Sequence, residues 1–236
     1  MIFSFRLISK MLTLNTHQNM ARSNTSSINS LSGLIGNSVV YEIFGKMVVR
    51  SRPRPSKVPD SDKRKLNQDK FRQTQLLMHS MLPFIRIGFW GYTENRTAFQ
   101  EAMSVNLGQD IFQRGGPGTD YSQCILSKGE LPGTGQVQAQ WEGPDTIGVS
   151  WSGSCGSPGT PNDQVMLLFH FPTHNESVIQ LEAGVRKDGS VSIAIPAHLV
   201  DENPEAYIAL LNPGLMAMGK RKQGLSTSQY IGKVVK

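Results

Sequence analysis

Hydrophobic and polar positions change texture three times along this chain. Residues 38–43 (SVVYEI) and 46–50 (KMVVR) are β-branched runs separated by Phe44-Gly45. A glycine in the second central position suits a two-residue hairpin, although Phe44 is an uncommon choice where φ is positive. Residues 51–59 (SRPRPSKVP) carry three prolines, which force an extended, polyproline-like arm. A helical period follows over residues 63–82, where Phe71, Met78, Leu82 and Ile85 are spaced 7, 4 and 3 apart. Asp60, Ser61 and Asp62 supply candidate caps for its start, and Pro83 is expected to kink or end it. A second helix is predicted over about residues 93–107, with Phe99, Ala102, Met103 and Asn106 at helical spacing and Gly108 as its stop. The cluster Gly115-Gly-Pro-Gly118 reads as a turn.

From Tyr121 onward short β-rich runs alternate with turn residues. The predicted strands cover residues 121–127, 137–141, 146–151, 164–171, 177–185, 190–196, 206–212 and 225–235. Ile147-x-Val149-x-Trp151 and Val191-x-Ile193-x-Ile195 alternate cleanly, and Lys187-Asp-Gly-Ser190 supplies a tight turn. This pattern predicts an antiparallel sandwich over residues 131–236, with Trp151, Ile193 and Tyr207 at least partly buried. The expected fold class is therefore α+β, mostly β: an N-terminal hairpin and two helices, then an immunoglobulin- or fibronectin III-like sandwich. The expected organisation is a flexible segment over residues 1–36, a hairpin, arm and helical module over 37–120, and the sandwich over 121–236.

Residues 20–36 are small and polar, which reads as a flexible entry. Before them, Arg6, Ser9 and Lys10 interrupt the apolar residues, so no unbroken signal-peptide core forms, and Met20 is the preferred start. No run approaches the 18–20 apolar residues of a membrane span. The favoured location is cytoplasmic or particle-associated.

Charge sharpens the picture. The 236 residues carry a formal charge of +6, and residues 46–72 alone hold ten Lys and Arg against three Asp, or +7. A basic stretch on a near-neutral body points to an acidic partner. Arg50, Arg52, Arg54 and Lys57 on the arm, then Lys63, Arg64 and Lys65 at the helix start, are the candidate contacts to that partner or to phosphates. Docking to a protein subunit, by a partner or by self-association, is the leading reading. Salt-dependent nucleic-acid binding is the alternative, and a merely solvated, charged arm is the third reading. No aromatic is interleaved with the basic residues to stack bases, which weighs against the alternative.

No catalytic chemistry is legible. His170-x-x-x-His174 has the i, i+4 spacing of a helical metal pair, but Pro172 lies between them in a strand-like run. Cys124 and Cys155 fit no metal pattern, and their pairing is open. Gly153-Ser-Cys-Gly-Ser157 fails the nucleophile-elbow pattern because position 152 is Ser, and Gly115–Gly118 lacks the Lys of a phosphate loop. Neither an enzyme, nor a metal or cofactor, nor a small-molecule substrate is expected.

Two resemblances add to this reading. The runs 147–151, 164–171 and 207–211 resemble a fibronectin type III-like sandwich, whose members carry a Trp in the second strand and a Tyr in the sixth. From Met20 onward the chain is also similar to an uncharacterised domain-of-unknown-function family of Bacteroidota proteins, about 200–220 residues long. The residues that carry this are Gly33-Leu-Ile-Gly-Asn37, Gly45-Lys46, Arg50-Ser-Arg-Pro53, the helix near Gln68, Ile87-Gly-Phe89 and Ala98-Phe-Gln-Glu-Ala102. The YSQCILSKGELP segment starting at Tyr121 and Ser226-x-Ser228-x-Tyr230 complete the set. That resemblance implies a fold and no activity. The functional expectation is a non-enzymatic structural or interaction protein, such as an assembly or phage- or injection-particle component.

Overall fold

A computed structural model describes residues 22–23, 31–54, 59, 61–91, 95–109, 111–112 and 118–236. The chain divides into two compact units, with the boundary between Pro59 and Asp60.

The first unit is an antiparallel sheet of four strands in sequential order: β1 (Arg22–Ser23), β2 (Leu31–Ile35), β3 (Ser38–Ile43) and β4 (Lys46–Ser51). The predicted hairpin is β3–β4, paired from Ser38↔Ser51 to Ile43↔Lys46. Phe44 and Gly45 both take positive φ, 50° and 72°, so the turn has the primed geometry that matches strand twist. The flexible entry expected over residues 20–36 is corrected here, because Leu31–Ile35 is a strand paired with β3. Gly36, at φ 59°, makes the reversal into β3, and the Gly/Ser texture of that stretch had hidden the alternation of Leu31, Gly33 and Ile35.

The second unit has three layers. Helix α1 (Asp62–Ser80) starts at Ser61, whose side chain accepts from the Arg64 N–H. Its end at Met81 is followed at once by α2 (Leu82–Gly88), with Pro83 in the first turn where its missing N–H costs nothing. Helix α3 (Ala98–Gly108) opens with a capping box between Thr97 and Gln100. Seven strands then follow: β5 (Val137–Trp141), β6 (Thr146–Trp151), β7 (Gln164–Phe171), β8 (Glu176–Val185), β9 (Ser190–Ala194), β10 (Glu205–Leu211) and β11 (Gln229–Lys233). They form two antiparallel sheets, β5-β6-β9 and β11-β10-β7-β8, packed as a sandwich. A short helix, α4 (Pro213–Ala217), lies between β10 and β11.

Period-two alternation explains the packing. Val165, Leu167, Phe169 and Phe171 of β7, with Ala206, Ile208 and Leu210 of β10, face Ile147, Val149, Trp151 and Ile193. The intervening residues Met166, Leu168, Tyr207 and Ala209 face Met78, Met81, Phe84, Ile85 and Met103 of the helices. The four-stranded sheet is thus the middle layer, which is why β7 is apolar at nearly every position. Trp151, Ile193 and Tyr207 are buried as expected, but Tyr207 belongs to the helix side and Trp151 to the sandwich side.

Three further sequence expectations fail. Phe71 is exposed, since burial on α1 begins only at Thr74 and continues through Leu77 and Met78. Residues 121–127 are not a strand. A 3-10 turn, Tyr121–Gln123, leads into an extended segment clipped to α3 by Asn106, whose amide donates to the Ile125 carbonyl and accepts from its N–H at 2.7 and 2.8 Å. The predicted second helix begins at Ala98 rather than near Thr93; residues 92–94 lie outside the described residues.

Candidate interaction surface

The basic candidates sit on two kinds of support. Arg50 belongs to β4, where its guanidinium lies 5.6 Å from the centroid of the Tyr41 ring. The Arg52 N–H donates to the Asn37 carbonyl at 2.8 Å, so the arm leaves the sheet as a continuation of β4 instead of starting free at residue 50. Arg52 and Arg54 are exposed and outside regular structure, and Lys57 lies outside the described residues. Lys63, Arg64 and Lys65 occupy the first turn of α1, all exposed, with Lys65 3.7 Å from Asp62. A pair this exposed neutralises little in water.

Taken by itself, the N-terminal sheet shows an apolar face that the sequence reading did not single out. Register places Ile35, Val40, Met47 and Val49 on the same side of the sheet. Only Val40 is a buried apolar residue among the described residues of this unit; Val49 is 61% exposed and Ile35 and Met47 are also open. Ile43 and Phe44 add further exposed apolar area at the hairpin tip. Alternation alone would have located this face, had the entry segment been recognised as a strand.

His170 and His174 are not brought together, whereas the His174 and His198 rings meet edge-on with centroids 6.2 Å apart. His170 is buried on the helix side of β7, with Nδ1 3.0 Å from Ser177 Oγ and 3.4 Å from Ser80 Oγ, and its ring against Tyr121. Burial pushes its pKa down to about 4. It sits at a cleft of about 590 Å³ shared with Leu76, Phe112 and Pro172. His174 lies in the β7–β8 turn and pairs with Glu202 at 2.8 Å, while His198 pairs with Glu176 at 3.0 Å. No three His, Cys, Asp or Glu side chains among the described residues are arranged to hold a metal ion. Both cysteines are free thiols: Cys124 is buried, its pKa pushed up to about 12 by that burial, and Cys155 is exposed.

The Gly/Ser segment around Ser154 has a structural task. Arg186 is fully buried: Nε donates to Asp163, Nη1 to the Gly133 and Ser154 carbonyls and Nη2 to the Pro132 carbonyl, and Nη2 lies 3.1 Å from the Asp163 carboxylate. Asp163 also accepts from Thr160 and from Asn212 Nδ2. The Trp151 indole donates to the Arg186 carbonyl at 2.8 Å. Sequence reasoning missed this network because Asp163 and Arg186 both sit beside turns, where charge usually means solvent.

The motif residues of the C-terminal half are clips of the same sort. Ser226 Oγ accepts from the Leu210 N–H and Ser228 Oγ from the Leu126 N–H, each at 2.8 Å, and the Tyr230 hydroxyl donates to Glu205 at 2.5 Å. They hold the last strand and the 121–132 segment to the middle sheet. No helix among the described residues is long and apolar enough to cross a membrane. No curated protein and no solved structure matches the chain. The model of a family of unknown function, DUF6266, matches residues 30–220, and with most of its length so covered the chain belongs to that family.

Proposed function

We propose that this is a non-enzymatic interaction protein whose N-terminal sheet and basic segment dock on an acidic face of another protein, with the sandwich as carrier. The observation that carries this reading is the apolar face of Ile35, Met47 and Val49, left open on a sheet with one buried apolar residue among its described residues. Ordering a residue costs about 1–2 kcal/mol, and so little burial offsets few residues. A partner that covers this face supplies the missing burial. The edge strand β4 also offers a row of backbone groups for strand addition.

Charge chooses the kind of partner. Pairing β4 with its own copy about Val48 sets Lys46 against Arg50 in both directions, and like charges facing across strands repel. An acidic strand or loop answers Lys46, Arg50, Arg52 and Arg54 instead. The strand order β5-β6-β9 against β11-β10-β7-β8 supports a fibronectin type III-like reading of the sandwich, an architecture that hosts many unrelated functions.

Nucleic acid is the second reading, favoured by the exposure of Lys63, Arg64 and Lys65 on one helical turn. One comparison separates the two. Replacing Arg50, Arg52 and Arg54 with Ser is expected to leave the melting temperature within about 2 °C, since all three are exposed. The variant loses an acidic protein that the wild type retains through nuclease treatment. Loss of salt-dependent binding to random duplex DNA, with protein capture unchanged, transfers the arm to the second reading.

A further inference from the structure

A second cationic segment occupies the loop between α4 and the last strand. Residues 219–224 read GKRKQG, and Lys220, Arg221 and Lys222 are all exposed. The loop is fixed by its own backbone: the Lys220 N–H donates to Leu215, the Gly224 N–H to Lys220, and the Glu130 N–H to the Lys222 carbonyl, at 2.9, 2.9 and 2.7 Å. Three adjacent like charges are therefore presented on a held scaffold. No carboxylate among the described residues is ion-paired with Lys220 or Arg221.

Across from the loop, the turn Phe89-Trp90-Gly91 follows α2. The Arg221 guanidinium lies 5.1 Å from the centroid of the Trp90 ring, and Trp90 is 53% exposed. Gly91 has φ 64°, and a Cβ there would come within 2.3 Å of Arg221 Nη1 and 2.4 Å of its Cδ. The turn thus has the one residue that lets the arginine lie along it. The result is a guanidinium held over the indole ring beside two lysines, next to a shallow notch of about 430 Å³ lined by Gly91, Glu130, Gly219 and residues 220–223.

We infer that this notch binds a nucleotide unit, either a free nucleotide or one within a single strand. The cations answer a phosphate, and the Arg–Trp pair offers a flat surface to a base. Glu130 supplies the one carboxylate of the lining, an acceptor for base amino or sugar hydroxyl groups. An acidic peptide has no use for the exposed aromatic surface.

The test is run on the full chain with Arg50, Arg52 and Arg54 changed to Ser, so that the basic arm does not contribute. Calorimetry and tryptophan fluorescence follow titration with adenosine monophosphate, a 12-mer of deoxythymidylate, inorganic phosphate and polyglutamate. The expected result is saturable binding of the mononucleotide or the 12-mer, weakened about tenfold or more in Trp90→Leu and in Arg221→Ala. Both substitutions lie at the surface, and an unchanged melting temperature shows that the fold has survived them. Binding of the 12-mer without the mononucleotide identifies the strand as the source. Binding of polyglutamate or inorganic phosphate as tight as that of either nucleotide, binding indifferent to both substitutions, or no saturable binding overturns the inference.

Discussion

Arg186 and His170 show how much of this fold is decided by single polar residues in apolar surroundings. A buried guanidinium is tolerable only when charge and donors are both answered, and Asp163 with three backbone carbonyls answers them. His170 solves the same problem by staying neutral. With its pKa held near 4 by burial, against about 6.5 in an unfolded chain, the folded state binds fewer protons between those values. Its contribution to stability is therefore full above pH 6.5 and is lost progressively as pH falls through 4. Between pH 7 and 4 the wild type is expected to lose on the order of 2–3 kcal/mol more unfolding free energy than His170→Gln, measured by urea denaturation at each pH. Equal slopes for the two proteins would show that His170 does not resist protonation.

At the scale of elements, β6 and α1 make opposite points. Trp151 closes β6, lies in the sandwich core and donates to the carbonyl of Arg186, so it joins the core to the buried ion pair. Trp151→Ala is expected to cost about 3–5 kcal/mol by thermal or chemical unfolding; a loss under about 1 kcal/mol would remove it from the core. This strand was legible in sequence because alternation over Ile147, Val149 and Trp151 has one structural meaning. Strands β5, β6 and β7 fall where the pattern put them for that reason. Phe71 was misread because a helical period says which residues share a face, and says nothing about where along the helix the body begins. The 121–127 segment was misread because β-branched and small residues look alike whether they pair in a ladder or are clipped by Asn106.

For the whole molecule, charge was legible and the apolar face was not. Counting Lys and Arg located the basic segment with no structure at all, whereas the exposure of Ile35, Met47 and Val49 depends on β2, which a Gly/Ser-rich texture concealed. The buried network and the serine clips were invisible because each joins residues far apart in sequence, such as Ser226 with Leu210 and Leu126 with Ser228. Together they describe a self-sufficient sandwich unit and an N-terminal sheet that lacks a core among its described residues. The central claim is that this sheet is completed by an acidic protein. The most direct test places a photo-crosslinking amino acid at Val49 in the chain expressed in its own cells. The account predicts a discrete adduct with one protein of acidic isoelectric point, weakened by high salt and lost when Arg50, Arg52 and Arg54 are Ser. Adducts only with nucleic acid, only with a second copy of the chain, or with nothing would contradict it.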